Sequence, residues 1–306
     1  MSRTYVLTGA TGLIGRRLYR TLRDRGDDVI VLTRNPERAR SRFPDAMKVL
    51  LWAPGVQGEW SSAIDGADGV IHLAGEPIAE ERWTEEYKKR IHESRVIGTR
   101  EIVNAIAAAQ RKPRVLLSVS AVGYYGNTGD TEVDEATPAG TDFLAGVCDE
   151  WEREARMAFS HGVRVVTPRI GIVLADDGGA LEKLLTPFKM FAGGPVGNGD
   201  QWFPWVHIDD VVGLITFALD NDAVSGVLNA VSPGLIRNRD FAMALGDALK
   251  RPARFSVPAF VVKLALGEFG ETLLGGQRVL PRRTIESGYH FKYETIEKAL
   301  GTLVSV

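Results

Sequence analysis

The sequence predicts a doubly wound α/β protein, in which helices cover both faces of a parallel sheet. Short apolar runs rich in β-branched residues alternate with long amphipathic stretches as far as residue 175. These runs are almost continuously apolar, which is typical of strands buried on both faces. No internal repeat and no low-complexity tract interrupts the alternation. The pattern therefore indicates an α/β domain rather than a repeat architecture.

The elements of this domain can be predicted in order along the chain. Strands are predicted at 4–9, 28–34, 47–52, 69–75, 113–120 and 162–174, and helices at 13–26, 84–109, 143–161 and near 208–221. Gly26 ends the first helix as a C-terminal cap. Each helix follows a strand, so the strands are expected to run parallel.

After residue 175 the pattern changes. A glycine-rich aromatic loop (193–205) is followed by a helix, and the remainder of the chain mixes short strands, helices and prolines. We therefore expect a larger domain made of residues 1–175 and 207–228. Residues 176–206 and 229–306 are expected to form a smaller α+β substrate lobe, with a ligand cleft between the two.

Composition excludes several classes of protein. The 306-residue chain has a net charge of −2 and a pI near 6.3, without the basic character of a nucleic-acid binder. Its single cysteine rules out an internal disulfide and suits a reducing compartment. No signal peptide and no run of transmembrane length is found, so we expect a cytoplasmic protein with no membrane partner. The five histidines lie far apart, and no metal site is expected.

A glycine-rich stretch, "TGATGLIG" (8–15), joins the first strand to the first helix. Its glycines permit a tight turn, close approach of a pyrophosphate and close helix–strand packing, while the helix N-terminus attracts phosphate. At the first strand–helix turn of an α/β protein, this pattern predicts a Rossmann-type dinucleotide site; the alternative is a turn that binds nothing. The predicted cofactor-binding residues here are Gly9, Thr11, Gly12, Leu13, Ile14 and Gly15.

The end of the second strand indicates which dinucleotide binds. A site for NAD usually has an acidic residue there, which binds the ribose 2′-hydroxyl. This chain instead has "LTRNPERAR", with Arg34 and Arg38. Because guanidinium groups fit a 2′-phosphate, NADP(H) is the predicted cofactor. The alternative is that both arginines belong to a solvated helix face.

Four stretches show a resemblance to the extended short-chain dehydrogenase/reductase family. "TGATGLIG", "GVIHLAG", "SVSAVGYYG" and "WVHIDDVV" match its landmarks in order and spacing over nearly the whole chain. The tail at 278–300 more narrowly resembles an atypical branch labelled "epimerase family protein", related to human short-chain dehydrogenase/reductase family 39U. The resemblance implies that Leu73, Ala74 and Gly75 line the cofactor. Arg169, after the sixth strand, is a further candidate for cofactor contact.

The resemblance also shows what is missing. The wider family has a Tyr-x-x-x-Lys pair, with an acidic residue four positions after the lysine. Alignment on Glu152 places Leu144 at the tyrosine position and Cys148 at the lysine position. Leucine cannot transfer a proton, and a cysteine with a free pKa of about 8.5 brings no positive charge. The atypical branch likewise has cysteine in place of this lysine.

Three residues could take over from the missing pair. Ser120 matches the family's serine, which binds the substrate carbonyl or hydroxyl. Tyr124, beside Tyr125, is a candidate proton donor, with aromatic packing as the alternative for either tyrosine. Arg95 stands where the family commonly has asparagine, and we hypothesise that it supplies the lost cation; the alternative is an ion pair on the helix surface, with Glu93 or Glu101.

Cys148 itself has two interpretations: a small apolar residue that faces the sheet, or a thiol near the nicotinamide. Further along the chain, Asp209 and Asp210 are explained by capping of the helix that follows, and His207 is interpreted as structural more readily than as a contact in the cleft.

Two functions remain open at this point. The first is an NADP(H)-dependent oxidoreductase or epimerase with an unknown small-molecule substrate, in which Ser120, Tyr124, Cys148 and Arg95 form the catalytic set. The second is a non-catalytic NADP(H)-binding redox sensor or scaffold, which the loss of both residues of the pair would suit. A homodimer is a further expectation.

Overall fold

A parallel sheet forms the centre of the larger lobe in the computed structural model, which describes residues 2–304. The strands are β1 (Thr4–Thr8), β2 (Asp28–Thr33), β3 (Lys48–Leu51), β4 (Gly69–His72), β5 (Val115–Ser118), β6 (Ser120–Ala121), β7 (Glu132–Val133), β8 (Arg164–Ile170), β9 (Ile172–Ala175), β10 (Trp205–His207), β11 (Gly226–Ala230) and β12 (Arg278–Val279). The main sheet has the order β11-β8-β5-β4-β1-β2-β3, and β6 also pairs with β8. All its pairs are parallel, which confirms the predicted fold class.

Helices follow most of these strands. They are α1 (Leu13–Asp24), α2 (Pro36–Arg42), α3 (Glu85–Ala108), α4 (Phe143–Arg156), α5 (Gly179–Lys189), α6 (Ile208–Asp220), α7 (Asn238–Leu249), α8 (Ala259–Leu266), α9 (Glu268–Leu274), α10 (Arg282–Glu286) and α11 (Ile296–Leu303). The two longest begin at side-chain caps, since Thr84 accepts a bond from the N–H of Tyr87 and Asp142 accepts one from that of Ala145.

Two apolar layers bury the two faces of the sheet. On one face, α1 and α6 contribute buried side chains such as Leu18, Leu22 and Leu214. On the other face, α3 contributes Ile102 and Ile106. The strand order reverses between β1 and β4, so the crevice at their carboxyl ends is the expected ligand position of a doubly wound sheet.

The predicted strand at 162–174 is wrong in one respect, because the structure divides it at Gly171. A Cβ atom there would lie 2.3 Å from the carbonyl oxygen of Pro204, so a second chain segment approaches too closely for any side chain. Before Gly171, β8 belongs to the main sheet; after it, β9 pairs with β10. The chain therefore changes sheets at this glycine.

The helix predicted at 143–161 is also shorter than expected. The α-helix ends at Arg156, and residues 157–161 continue as a 3₁₀ helix that Gly162 closes at φ 78°. A tighter turn of this kind is common at helix ends. The predicted strand at 113–120 is similarly interrupted, between β5 and β6.

The smaller lobe has an apolar core of its own. Trp205 on β10, Phe241 on α7 and Leu300 on α11 are buried together there, with Leu181 and Phe188 of α5. The sheet strand β11 extends to residue 230, two residues beyond the predicted end of the larger domain. Among the helices of residues 2–304, none has both the length and the apolar character for crossing a membrane.

Candidate functional site

The glycine turn at the switch point requires residues without side chains. Gly9 has φ 69°, and a Cβ atom on it would lie 2.8 Å from the carbonyl carbon of Leu73 and 2.9 Å from the nitrogen of Ala74. A Cβ atom on Gly15 would lie 2.1 Å from the carbonyl oxygen of Gly9. The turn after β1 therefore packs directly against the backbone that follows β4, as the predicted cofactor loop requires.

The N-terminus of α1 is open toward the same crevice. Its N-cap, Gly12, offers no side-chain cap, and the first turn has no acidic residue. The first N–H groups of a helix lack intrahelical acceptors and carry the positive end of its dipole. Thr11, Leu13 and Ile14 are partly exposed at this turn, so a ligand can reach their backbone. These features fit the pyrophosphate of a dinucleotide.

A buried pair that the sequence analysis missed holds the two turns together. The Thr8 hydroxyl accepts bonds from the N–H groups of Leu73 (3.1 Å) and Ala74 (3.2 Å) and lies 2.8 Å from Nδ1 of His72. Because it already accepts twice, it donates its proton to Nδ1. Burial lowers the pKa of His72 to about 4, which keeps the ring neutral and able to accept. The sequence contained one signal of this pair: Thr8 and His72 are polar residues at the ends of two otherwise apolar strands.

The two arginines predicted to bind the 2′-phosphate lie after β2. Arg34 is 70% exposed and pairs with Glu76, the residue after the β4 turn, at 3.1 Å. Arg38 lies exposed in the first turn of α2, where Asn35 caps its backbone N–H at 3.0 Å. Both guanidinium groups are accessible to a ligand at this edge of the sheet; their contact with a phosphate stays a prediction.

Cys148 lies at the centre of the predicted catalytic residues. It is 3% exposed and packs with Tyr124 in a small apolar cluster. Burial raises the pKa of its thiol to about 11, while the charge of Arg95 and the nearby Ser120 hydroxyl oppose that rise. Three of the residues that the sequence analysis grouped are therefore neighbours of this one thiol. The thiol is protonated and enclosed at neutral pH.

Arg95 points to this region from α3, and its alternative interpretation as a surface ion pair is wrong. Neither Glu93 nor Glu101 lies within ion-pair distance: Glu93 pairs with Lys89, and Glu101 accepts the N–H of Gly55. The guanidinium carbon instead lies 5.4 Å from the centre of the Trp151 ring, and Nη1 donates to the carbonyl of Ile91 at 3.1 Å. Burial lowers the pKa of this guanidinium.

The two neighbouring tyrosines differ in their partners. The Tyr125 hydroxyl donates to Oδ1 of Asn229 at 2.7 Å and accepts from Arg169 at 3.0 Å, and burial raises its pKa to about 12. The Tyr124 hydroxyl makes no hydrogen bond within residues 2–304, and its ring lies 3.3 Å from the guanidinium carbon of Arg169. Of these two tyrosines, only Tyr124 has a hydroxyl without a partner among the described residues.

Arg169 is held entirely by protein partners. Nε and Nη2 donate to the two carboxylate oxygens of Glu152 at 2.8 and 2.9 Å, and both side chains are almost fully buried, at 2% and 1% exposure. The acidic residue that served to align the missing pair is therefore the partner of this arginine. The predicted contact of Arg169 with the cofactor stays a prediction.

His207 and Asp210, where β10 meets α6, have structural partners. His207 caps α6 by accepting the N–H of Asp209 at 3.0 Å, and its ring stacks on Tyr293. The capping expected of Asp209 and Asp210 is therefore made by His207 instead. Asp210 accepts the backbone N–H groups of Lys292 (2.7 Å) and Tyr293 (3.0 Å) and so anchors the C-terminal segment. Within residues 2–304, no cluster of three or more metal-ligating side chains is present.

Comparison with known proteins identifies the class to which this fold and this turn belong. The profile of the NAD dependent epimerase/dehydratase family matches residues 5–144, and that of a domain of unknown function, DUF1731, matches residues 257–303. The chain is 43% identical over 307 residues to the chloroplastic SDR39U1 homolog of Arabidopsis thaliana, covering 98% of this chain and 86% of that one. It is 37% identical to the SDR39U1 protein of Mus musculus, covering 97% and 98%.

The solved structures agree. That of human SDR39U1 with NADPH superposes with a TM-score of 0.87 at 34% identity, covering 98% of both chains. A nucleoside-diphosphate sugar epimerase from Corynebacterium glutamicum gives 0.78 at 32% identity, covering 98% of this chain and 57% of that one. The chain is thus a member of the NAD-dependent epimerase/dehydratase family and, within it, of the SDR39U1 epimerase family proteins. The predicted family and its nicotinamide-dinucleotide type of cofactor are confirmed.

Proposed function

We propose that the protein is an NADPH-dependent oxidoreductase or epimerase acting on a small molecule. The observation that carries the proposal is the glycine turn, where the backbones after β1 and β4 meet so closely that Gly9 and Gly15 leave no room for side chains. The human relative that was solved with NADPH supports the choice of cofactor, as do the accessible guanidinium groups of Arg34 and Arg38.

The residues present fit this cofactor. The backbone of Gly12 to Gly15 and the open end of α1 would hold the pyrophosphate, and Leu73, Ala74 and Gly75 would line the path toward Cys148. When bound, the nicotinamide ring supplies or accepts a hydride. Arg34 and Arg38 would bind the 2′-phosphate and so distinguish NADPH from NADH.

The chain's own residues supply the proton chemistry. Ser120 is buried beside Cys148, and its hydroxyl has no hydrogen-bond partner within residues 2–304; we assign it to a carbonyl or hydroxyl group of the substrate. Tyr124 has the free hydroxyl that proton donation requires. Arg95 supplies the positive charge that the wider family's lysine supplies, and Cys148 fills the space between these groups as an uncharged residue.

The non-catalytic alternative receives less support. A redox sensor needs an accessible thiolate, whereas Cys148 is enclosed and its pKa is raised. A scaffold would not need the free Tyr124 hydroxyl beside a buried serine. The predicted homodimer and the predicted cytoplasmic location stay predictions, and the Arabidopsis thaliana relative is described as chloroplastic.

Titration of the purified protein with NADPH, NADP⁺, NADH and NAD⁺ tests the proposal. Nicotinamide fluorescence and thermal stability are followed together, because a ligand that binds only the folded state raises the unfolding temperature. The expected result is tight binding of the two phosphorylated forms alone. Equal binding of all four contradicts the role of Arg34 and Arg38, and binding of none contradicts the proposed function. A screen of carbonyl compounds for NADPH oxidation then tests turnover.

A further inference from the structure

One guanidinium at the bottom of the crevice has no carboxylate partner. Arg95 lies between Gly75, in the turn after β4, and Trp151 on α4. A Cβ atom on Gly75 would be 3.2 Å from Nη2. Only Nη1 donates to protein acceptors, the carbonyl of Ile91 (3.1 Å) and the Ser94 hydroxyl (3.5 Å). Within residues 2–304, Nε and Nη2 have no acceptor, yet neither atom is sealed from solvent.

The free edge is the one best suited to an anion that presents two oxygens side by side. The Nε–H and the adjacent N–H of Nη2 form a parallel fork that matches the two oxygens of a carboxylate or phosphate. Arg169 uses this same edge to hold Glu152 through two short bonds. On Arg95, the corresponding edge lies beside Gly75 and has no protein carboxylate.

The charges around Arg95 do not cancel its own. Glu76 is the carboxylate whose charge acts on it, but that side chain pairs with Arg34 at 3.1 Å and lies 3.8 Å from Arg90. No carboxylate lies within 4.0 Å of the Arg95 guanidinium in the described part of the chain. A partly buried cation without a paired carboxylate is less well solvated than an exposed one, and a bound anion relieves that cost.

We propose that the Nε–Nη2 edge of Arg95 binds an anionic group of the substrate, a carboxylate or a phosphate. This inference rests on the proposed function, because the cofactor's own anions are assigned elsewhere: the pyrophosphate to the open end of α1 and the 2′-phosphate to Arg34 and Arg38. The Arg95 edge is then left for the substrate, whose reacting carbon would lie beside Ser120 and Tyr124. The substrate class is an acidic carbonyl compound or its alcohol.

The test measures binding of three small probes to the protein saturated with NADPH. Butanoate carries a carboxylate, methyl phosphate carries a phosphate, and butanamide is the uncharged counterpart of butanoate. Calorimetry at low, constant ionic strength gives the affinities for the wild type, Arg95→Gln and Arg95→Lys. Arg100→Gln is the matched control, because Arg100 lies on the same helix but is exposed and pairs with Glu154.

We expect the wild type and Arg100→Gln to bind one of the anions about tenfold or more tightly than butanamide. Arg95→Gln should abolish that preference, and Arg95→Lys should keep part of it, because lysine retains the charge but loses the fork. A wild type that binds all three probes alike, or an anion preference that survives in Arg95→Gln, overturns the inference.

The alternative ligand of the Arg95 edge is an anionic group of the cofactor, and the same variants distinguish it from the substrate. If Arg95→Gln weakens NADPH binding about tenfold and the NADPH-loaded wild type shows no anion preference, the edge serves the cofactor and the inference is overturned. Failure of the proposed function is distinguishable, since it appears in the wild type as absence of NADPH binding before any probe is added.

Discussion

Arg169 and Arg95 both contact α4, and the contrast between them separates a structural cation from a binding one. Arg169 holds Glu152 through the Nε–Nη2 edge and is almost fully buried. Arg95 has the same edge without an acceptor and lies against Trp151 and Gly75. The residue type is identical, so the partner alone decides the role. A partly buried arginine that lacks a carboxylate is a better indicator of a ligand site than one that has a carboxylate.

The same contrast extends to the tyrosines beside them. Tyr125 is part of the Arg169 network, through which the hydroxyl reaches Asn229 and the amide of Asn229 reaches the carbonyl of Leu280 in the tail. Tyr124 stacks on the Arg169 guanidinium but keeps its hydroxyl free. The hydrogen-bonded network of Arg169 thus supports the ring of Tyr124, whose hydroxyl remains available for proton transfer.

The largest expected effect, on stability, comes from breaking the buried ion pair of Arg169 and Glu152. Glu152→Gln should lower the free energy of unfolding by about 3–5 kcal/mol, because it leaves the Arg169 cation buried without a counter-charge. Urea denaturation measures the change. Arg95→Gln should cost far less, since no ion pair is lost there. The double variant Glu152→Leu/Arg169→Met should recover most of the loss, and equal costs for Glu152→Gln and Arg95→Gln would contradict the contrast.

The second effect concerns the two tyrosines. Tyr124→Phe should reduce NADPH-dependent turnover of the best carbonyl substrate about 10²-fold or more, with NADPH binding and stability kept, because it removes the proton donor. Tyr125→Phe should instead cost about 1–3 kcal/mol of stability and leave turnover unchanged, since the bonds with Asn229 and Arg169 are lost. Steady-state kinetics and urea denaturation of both variants make the comparison. Lost turnover in Tyr125→Phe together with unchanged turnover in Tyr124→Phe would contradict the assigned roles.

A smaller effect, on cofactor affinity, is expected from substitution of Arg34, the exposed arginine after β2. Arg34→Gln should weaken NADPH binding about tenfold and leave NADH binding unchanged, because a charge-assisted bond to the 2′-phosphate is lost. Arg42→Gln, an exposed change in the last turn of α2, is the control and should alter neither affinity. A parallel loss of affinity for both cofactors would show that Arg34 does not distinguish them.

The smallest effect is expected from substitution of Cys148, whose thiol lies near Arg95. Cys148→Ala should cost about 1 kcal/mol, as for other small buried apolar groups. The folded thiol keeps its proton up to a pKa of about 11, whereas the unfolded thiol ionises above about pH 8.5. Its contribution to stability is therefore complete below about pH 8.5 and is lost as the pH rises toward about 11.

Urea denaturation of the wild type and Cys148→Ala at pH 8 and pH 10 measures this dependence. The wild type should lose about 2 kcal/mol of stability relative to Cys148→Ala between the two pH values, because only the wild type has the thiol. Since the substitution itself costs about 1 kcal/mol, the stability difference should change sign at the higher pH. A difference that stays constant would mean that Cys148 ionises as readily in the folded protein as in the unfolded chain.

Much of the fold was predictable, because its signals are local. The alternation of apolar runs and amphipathic stretches placed the strands of the sheet, and Thr84 marks the start of α3 within a residue of the prediction. The break at Gly171 was not predictable, because it arises from the carbonyl of Pro204, which approaches only in the folded chain. Likewise, the Thr8–His72 contact joins residues 64 positions apart.

The sequence by itself determined the family, the glycine turn and the loss of the tyrosine–lysine pair, since each depends on residue types at fixed short spacings. The tertiary structure alone decided which arginine is neutralised and which tyrosine is free. Arg169 meets Glu152 across 17 positions, and Tyr125 meets Asn229 across 104. Such partnerships depend on how the sheet and α4 pack, and no local pattern encodes them.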